Sequence, residues 1–271
     1  KIPKASSIDW IEARCIHANI AALTFGNYPN RLGLAKIFVK GDFLIVQDSK
    51  VFNTGSRKPP GTIAQFNDKY IQISCSDGEI RLSRIMTMEG RDLSVTELVD
   101  HYRLAANYQL EKIDKKIEDK ITSLEAAVCK YEKYWVDKFI QFNPVQHPYY
   151  NFNITDKKPK GRKQALVQFK AGLIDSVNSK KNEQKSTDCI LAGIASYLAC
   201  INGIESFDIG FSEGNVLDGQ ANELENLFSA SVPVRIETSR SESFNGLVES
   251  LESELREVRK KRTYIRDIFF R

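Results

Sequence analysis

The rhythm of apolar and polar positions changes along the chain. As far as about residue 106, apolar residues gather in short runs rich in β-branched and aromatic side chains, at 36–39, 43–46, 61–66, 70–75 and 79–85. Lys40-Gly41-Asp42 and Ser76-Asp77-Gly78 lie between runs and supply turn chemistry. Tyr70-Ile71-Gln72-Ile73-Ser74 alternates with the period of two expected of a half-buried strand. Many short strands separated by Gly and Pro turns predict a small barrel. A helix is predicted before them, from Ser6 or Ser7 to Phe25, with Ser7 as N-cap and Ile8, Ile11, Ile16, Ile20 and Leu23 apolar. After the strands, Ser94-Val95-Thr96-Glu97 has the spacing of a capping box and opens a second helix.

The period then becomes helical. Leu110, Ile113, Ile117, Ile121, Leu124, Val128, Tyr131 and Trp135 follow one another at steps of three or four, with Lys115, Lys116, Glu118, Asp119 and Lys120 between them. This predicts one amphipathic helix of about seven turns, ending before Pro144. Pro144, Pro148, Pro159 and Gly161 punctuate a loop over 142–163. Beyond it the pattern alternates: a strand at 164–169, a helix at 174–181, a buried helix at 186–201, strands at 206–211 and 231–236, and a long helix at 243–262. Strands alternating with helices predict an α/β sandwich layer. The expected fold class is α+β. Its expected organisation is a β-barrel domain over 1–106, a linking helix over 107–141 and an α/β domain over 142–271.

Composition narrows the function classes. The 271 residues give room for about two domains. With 42% hydrophobic residues a sizeable core is available. The formal charge of +4 is mild, and a cut at residue 106 leaves 14 basic against 11 acidic residues before it and 25 against 24 after. Neither part has the excess of a dedicated nucleic-acid binder. Five scattered Cys without a Cys-x-x-Cys read as reduced thiols in a reducing, cytoplasmic compartment. No H-E-x-x-H and no Cys/His cluster occurs, so no metal is expected. The longest mostly apolar run, 189–201, is shorter than the ~20 residues a bilayer requires, so no membrane is expected. The chain opens at Lys1 without a signal peptide, and the expectation is a piece of a longer polypeptide.

Candidate chemistry is sparse. Gly210-Phe211-Ser212-Glu213-Gly214 is a literal G-x-S-x-G. In hydrolases of that type the His follows the Ser, whereas the three His here stand at 17, 101 and 147, so the hydroxyl lacks its base. Cys189 and Cys200 fall in an apolar helix and read as inert packing. No glycine-rich phosphate loop is present. Catalytic residues are therefore not expected. Basic residues suggest docking surfaces for acidic partners: Arg57 and Lys58 beside Pro59-Pro60, and Lys157, Lys158, Lys160, Arg162 and Lys163 in the proline loop. A second basic cluster, Arg256, Arg259, Lys260, Lys261, Arg262 and Arg266, closes the last helix, where the helix dipole alone favours cations.

Two segments resemble known families. Ile8-Asp9-Trp10, Phe25-Gly26-Asn27-Tyr28-Pro29-Asn30, Pro60-Gly61-Thr62-Ile63 and Cys75-Ser76-Asp77-Gly78 together resemble the C-terminal domain of methionyl-tRNA formyltransferases, in the form that opens some nonribosomal peptide synthetases. The resemblance implies a small barrel of the oligonucleotide-binding type over about 1–100. It also implies that formyl transfer belongs to a neighbouring domain using formyl-tetrahydrofolate. Tyr134-Trp135, the helix opening at Ser186, Asp208-Ile209-Gly210 and the stretch from Leu224 to Arg235 resemble the C-terminal half of a peptide synthetase condensation domain. The family's His-His-x-x-x-Asp-Gly site is absent, Phe228-Ser229-Ala230 replaces Phe-Val-Asn, and Gly214-Asn215 replaces Gly-Arg. The second half is thus expected to be an α/β sandwich, half-condensation-like domain. Together the resemblances imply a non-catalytic region of a multienzyme that positions neighbouring synthetase domains and a phosphopantetheinyl carrier protein. No cofactor is expected in this chain; formyl-tetrahydrofolate and phosphopantetheine belong to the neighbours. The alternatives are an accessory module binding tRNA and a complete transferase, which would require a deep polar pocket around His147 or Ser212.

Overall fold

The computed structural model describes residues 4–25, 30, 32–52, 58–145, 183–212, 224–239 and 241–270. The chain divides into two compact units, one made of residues 1–137, 212–230 and 262–271, the other of 138–211 and 231–261.

The first unit is built on a curled antiparallel half-barrel sheet. Its strands are β1 (Lys36–Val39), β2 (Asp42–Phe52), β3 (Ile63–Phe66), β4 (Ile71–Ser74), β5 (Glu79–Thr87) and β6 (Asp92–Leu93). They run in the order β1-β2-β5-β4-β3, with β6 beside β5. The expected turn between β1 and β2 forms because Lys40 and Gly41 take φ 48° and 93°, the left-handed pair of a tight hairpin. β2 carries an irregularity around Val46 to Ser49 that bends the sheet. Both sheet edges are extended: Ile8 N–H donates to the Lys36 carbonyl at 2.8 Å, and Leu110 N–H donates to the Gly61 carbonyl at 2.9 Å. The curl encloses an apolar core that includes Ile37, Val46, Ile63, Ile73, Ile80 and Leu82. Helix α1 (Ala13–Leu23) supplies Ala13, Ile16, Ile20 and Leu23 to it. α1 starts later than expected, because Ser7 is taken up by a parallel bridge to Lys36. Asp77, distant in sequence, accepts from the Ala13 N–H at 2.7 Å instead. Helix α2 (Val95–Tyr102) begins where the sequence indicates, with both halves of the Ser94/Glu97 capping box made. β4 departs from the half-buried expectation: all four of its residues are buried, because neighbouring polar side chains cover Gln72.

A second apolar cluster lies on the other side of this sheet. Phe43, Ile45, Met86 and Met88 join Ile121, Leu124 and Val128 of helix α3 (Lys115–Val128), together with Leu224, Leu227, Phe228 and Ile265. Residues from the far end of the chain therefore complete the unit. A 3-10 turn, Arg266–Phe269, places Asp267 beside Lys36, Oδ2 to Nζ 2.6 Å, with side chains 0% and 1% exposed. Asp267 Oδ2 also accepts the Leu34 N–H at 3.0 Å, and the Lys36 ammonium donates to the carbonyls of Ala5 and Leu34 at 3.0 and 2.8 Å. Buried charges persist when they are paired and hydrogen-bonded in this way. Gly90, at φ 83°, leaves room for the Phe270 ring.

The helical stretch is shorter and less regular than its pattern. α3 begins at Lys115 on an Asp114 cap, because Leu110 is held at the sheet edge. A 3-10 turn, Cys129–Tyr131, separates it from α4 (Glu132–Ile140). Trp135 is fully buried, with its ring 5.4 Å from that of Tyr264.

In the second unit, described residues form helix α5 (Glu183–Asn202), strands β7 (Ser206–Phe211) and β8 (Val232–Glu237), and helix α6 (Phe244–Lys261). β7 and β8 pair antiparallel, Phe207 opposite Ile236. α6 buries Leu247, Leu251, Leu255 and Val258. The expectation of a buried α5 needs correction. Asp188, Ala192, Ala195 and Ala199 are buried on one face, whereas Ile190, Ile194 and Tyr197 are 59%, 50% and 59% exposed. Small residues allow close helix approach, and the large apolar ones are left outside. The expected strand at 164–169 and helix at 174–181 lie outside the described residues.

Candidate functional site

Three places in the structure concentrate polar chemistry. The first is the face of the sheet opposite the barrel core. The strand registers set Lys50, Arg81, Gln72 and Gln65 opposite one another, one from each of β2, β5, β4 and β3. The Arg81 guanidinium lies 3.8 Å from the Phe52 ring centre and 4.1 Å from that of Tyr70. Its Nε donates to Gln72 Oε1 at 2.7 Å, and Gln65 donates to the same oxygen at 3.1 Å. Gln72 in turn donates to Glu79. The guanidinium thus lies within cation–π distance of two rings.

The second is a cleft of about 220 Å³ in the same unit, lined by Asp42, Phe43, Leu44, Thr87, Met88, Glu89, His101, Tyr102, Asn226 and Arg266. Tyr102 Oη donates to Asp42 Oδ2 at 2.9 Å, and Asn226 donates to Asp42 Oδ1. Burial, then the Asp42 carboxylate, hold the Tyr102 phenol above its ordinary range. Arg266 pairs with Glu89 at 2.6 Å, and the His101 ring stands edge-on to Tyr102 at 4.7 Å. No sequence motif announces this cleft, because its walls come from a hairpin turn, a strand end, a helix end and two distant segments.

The third is an ionic network in the second unit. Arg235 Nε donates to Asp208 Oδ1 at 2.7 Å and its Nη2 to Oδ2 at 2.9 Å, a two-pronged pair. The hydrogen bond to Asp208 raises the Arg235 guanidinium above its usual range. Asp208 Oδ2 also accepts the Asn143 N–H at 2.7 Å, and Arg235 reaches the Gln141 carbonyl at 2.6 Å. Glu254 accepts from Lys138 and from the Arg235 N–H. A cavity of about 550 Å³ in this unit is lined by residues that include Ser196, Cys200, Ile204, Glu205, Phe244 and Leu247.

Of the residues expected to dock partners, Lys58 is described: its Nζ donates to the Ala64 carbonyl at 3.1 Å. Arg57, Lys157, Lys158, Lys160, Arg162 and Lys163 lie outside the described residues, as does His147. Ser212 Oγ donates to the Ala230 carbonyl at 2.9 Å, and the rest of its G-x-S-x-G, Glu213 and Gly214, is outside the described residues. Cys75 is buried and its thiol is pushed up to about 12, chiefly by that burial. Cys200 is exposed rather than packed, which corrects its reading as core. Cations of the last helix are largely matched: Arg256 with Glu252 at 3.4 Å, Arg259 with Asp188 at 3.5 Å, and Lys261 with Glu257. Among the described residues no group of three or more His, Cys, Asp or Glu is arranged to hold a metal, and no helix is long and apolar enough to cross a membrane.

Among the solved structures similar to this chain are two of HypX from Aquifex aeolicus. One is a multiply substituted variant, 15% identical, covering 42% of this chain and 21% of that one with a TM-score of 0.32. The other, in complex with tetrahydrofolic acid, is 15% identical with the same coverage and a TM-score of 0.31. The matched region thus spans about a fifth of HypX, 21%. No curated protein matches the chain. A family model, formyl transferase, C-terminal domain, matches residues 1–103 of this chain.

Proposed function

We propose that this chain is a non-catalytic region of a formyltransferase-containing nonribosomal peptide synthetase initiation module, positioning neighbouring domains and a phosphopantetheinyl carrier protein. The observation that carries the reading is that residues near the end of the chain pack against the outer face of the formyl transferase-type barrel sheet. Lys36, inside residues 1–103, is paired with Asp267 across 231 positions. The intervening unit is thereby built into the barrel's own chain and is not a tail hung from it, as a positioning element requires. The second unit adds support: Asp208 and Arg235, both quoted in the resemblance to condensation domains, meet as a two-pronged pair. The full chain, given formyl-tetrahydrofolate and an aminoacyl carrier protein, is expected to form no formylated product while retaining the phosphopantetheinylated carrier in a pull-down. Measurable turnover, or no retention, would overturn the proposal.

A second reading, a tRNA-binding module, is favoured by one feature: Arg81 close to the Phe52 and Tyr70 rings and beside Lys50. Bases stack on such surfaces, and each neutralised phosphate steepens the salt dependence by ~0.7–0.9. Salt-dependent tRNA binding that is lost in Arg81→Ala supports it; tRNA binding indifferent to Arg81 removes it.

A further inference from the structure

We propose that the cleft between Asp42, Glu89, His101 and Arg266 binds a small zwitterion of the α-amino-acid class, with its ammonium toward the two carboxylates and its carboxylate toward Arg266 and His101. This inference is independent of the reading above.

Hydrogen-bonding capacity comes first. A carboxylate offers about four lone-pair positions and a guanidinium five N–H donors. Asp42 accepts from Tyr102 and Asn226, one bond at each oxygen, which leaves acceptor capacity on both. Arg266 gives one nitrogen to Glu89 and another to the Glu225 carbonyl, which leaves further N–H groups. Both signs of charge thus remain capable of new bonds on the walls of one cleft.

Rigidity comes next. The Asp42 carboxylate is held from two sides by donors on α2 and on the 224–230 segment, and Arg266 is held by Glu89 and a backbone carbonyl. A site fixed in this way loses little conformational freedom on binding. Tyr102, kept protonated by its environment, is a donor to Asp42 and maintains that carboxylate as the acceptor. The Phe43, Leu44 and Met88 lining offers a short apolar surface for a side chain.

Size and charge then restrict the ligand. Pockets for drug-sized ligands run from about 300 Å³ upward, so 220 Å³ suits something smaller. An amine without a carboxylate leaves the remaining Arg266 N–H groups unmatched; a carboxylate without an amine faces Asp42 and Glu89. A molecule carrying both groups on neighbouring atoms satisfies both walls.

The test is equilibrium dialysis of the full chain with glycine and alanine as probes, and with methylamine and acetate as single-group analogues. Glycine and alanine are expected to bind saturably and at least about tenfold more tightly than either analogue. Arg266→Gln is expected to reduce the amino acids to the level of methylamine, and Asp42→Asn to the level of acetate. His17→Ala, on α1 and distant in sequence from every lining residue, is expected to change nothing. Asp42 and Arg266 also join structural elements, so circular dichroism is recorded on each variant. If Asp42→Asn is unfolded, Glu89→Gln tests the ammonium side in its place, with weaker amino-acid binding expected. Absence of saturable binding, methylamine binding as tightly as glycine, or amino-acid binding unaffected by Arg266→Gln would each overturn the proposal.

Discussion

Each unit of the chain has a buried carboxylate held in an ion pair and by a backbone N–H, and the two pins differ in how far they are withdrawn from water. In the first, Asp267 and Lys36 are 0% and 1% exposed, and the ammonium is shared among the carboxylate and two carbonyls. In the second, Asp208 is 1% exposed, but its partner Arg235 is 24% exposed and lies partly in water. Both carboxylates accept a backbone N–H as well, Leu34 in one case and Asn143 in the other. The comparison teaches that a similar bond pattern has different consequences. Removing one partner of a fully buried pair strands a charge with nowhere to hydrate, whereas Arg235 can turn toward solvent.

The largest expected effect is therefore Asp267→Ala. It leaves the Lys36 ammonium buried and is expected to destabilise the first unit by about 3–5 kcal/mol, read from the urea midpoint. The double variant Lys36→Met with Asp267→Leu sharpens the point. With both charges gone, stability is expected to return to within about 1 kcal/mol of the parent or above it. A double variant as unstable as Asp267→Ala would show that shape, not charge, governs the site. Asp208→Asn is expected to cost less, roughly 2 kcal/mol, the range for hydrogen bonds to charged groups. A loss equal to that of Asp267→Ala would erase the distinction between the two pins.

A smaller effect is expected at α2, where Ser94→Ala removes an N-cap and should cost about 1 kcal/mol. The Ser94 N–H and hydroxyl both donate to Glu97, which holds that carboxyl below its usual range. A depressed folded-state value means that its stabilisation is present above the unfolded carboxylate range and lost as pH falls through the folded value. The difference between parent and Ser94→Ala is therefore expected to shrink in acid, by thermal melts across that window. A difference that widens in acid would contradict the cap.

Some of this was legible in the sequence. The hairpin turn at Lys40-Gly41, strand β1 and the Ser94 capping box depend on residues within a few positions of one another, and the structure has them where the pattern indicates. The start of α3 was not legible. Leu110 fits the helical stripe, but its backbone is claimed by the sheet edge at Gly61, a contact that no local period encodes. The pin itself left half a signal. Lys36 stands in Leu34-Ala35-Lys36-Ile37-Phe38 and Asp267 in Ile265-Arg266-Asp267-Ile268-Phe269, each a charge within an apolar run. Such a charge announces a buried partner without saying which of the many opposite charges it is. The cleft left none, since Asp42 reads as a turn residue and Arg266 as one more cation after a helix.

The central claim is that residues near the end of the chain are pinned to the outer face of the barrel sheet through Asp267. Hydrogen exchange at the Leu34 amide tests it most directly, because that N–H donates to the Asp267 carboxylate. In Asp267→Ala its exchange is expected to accelerate by at least about a hundredfold under native conditions, in keeping with a loss near 3 kcal/mol. Protection of Leu34 that stays at the parent level in that variant would contradict the account.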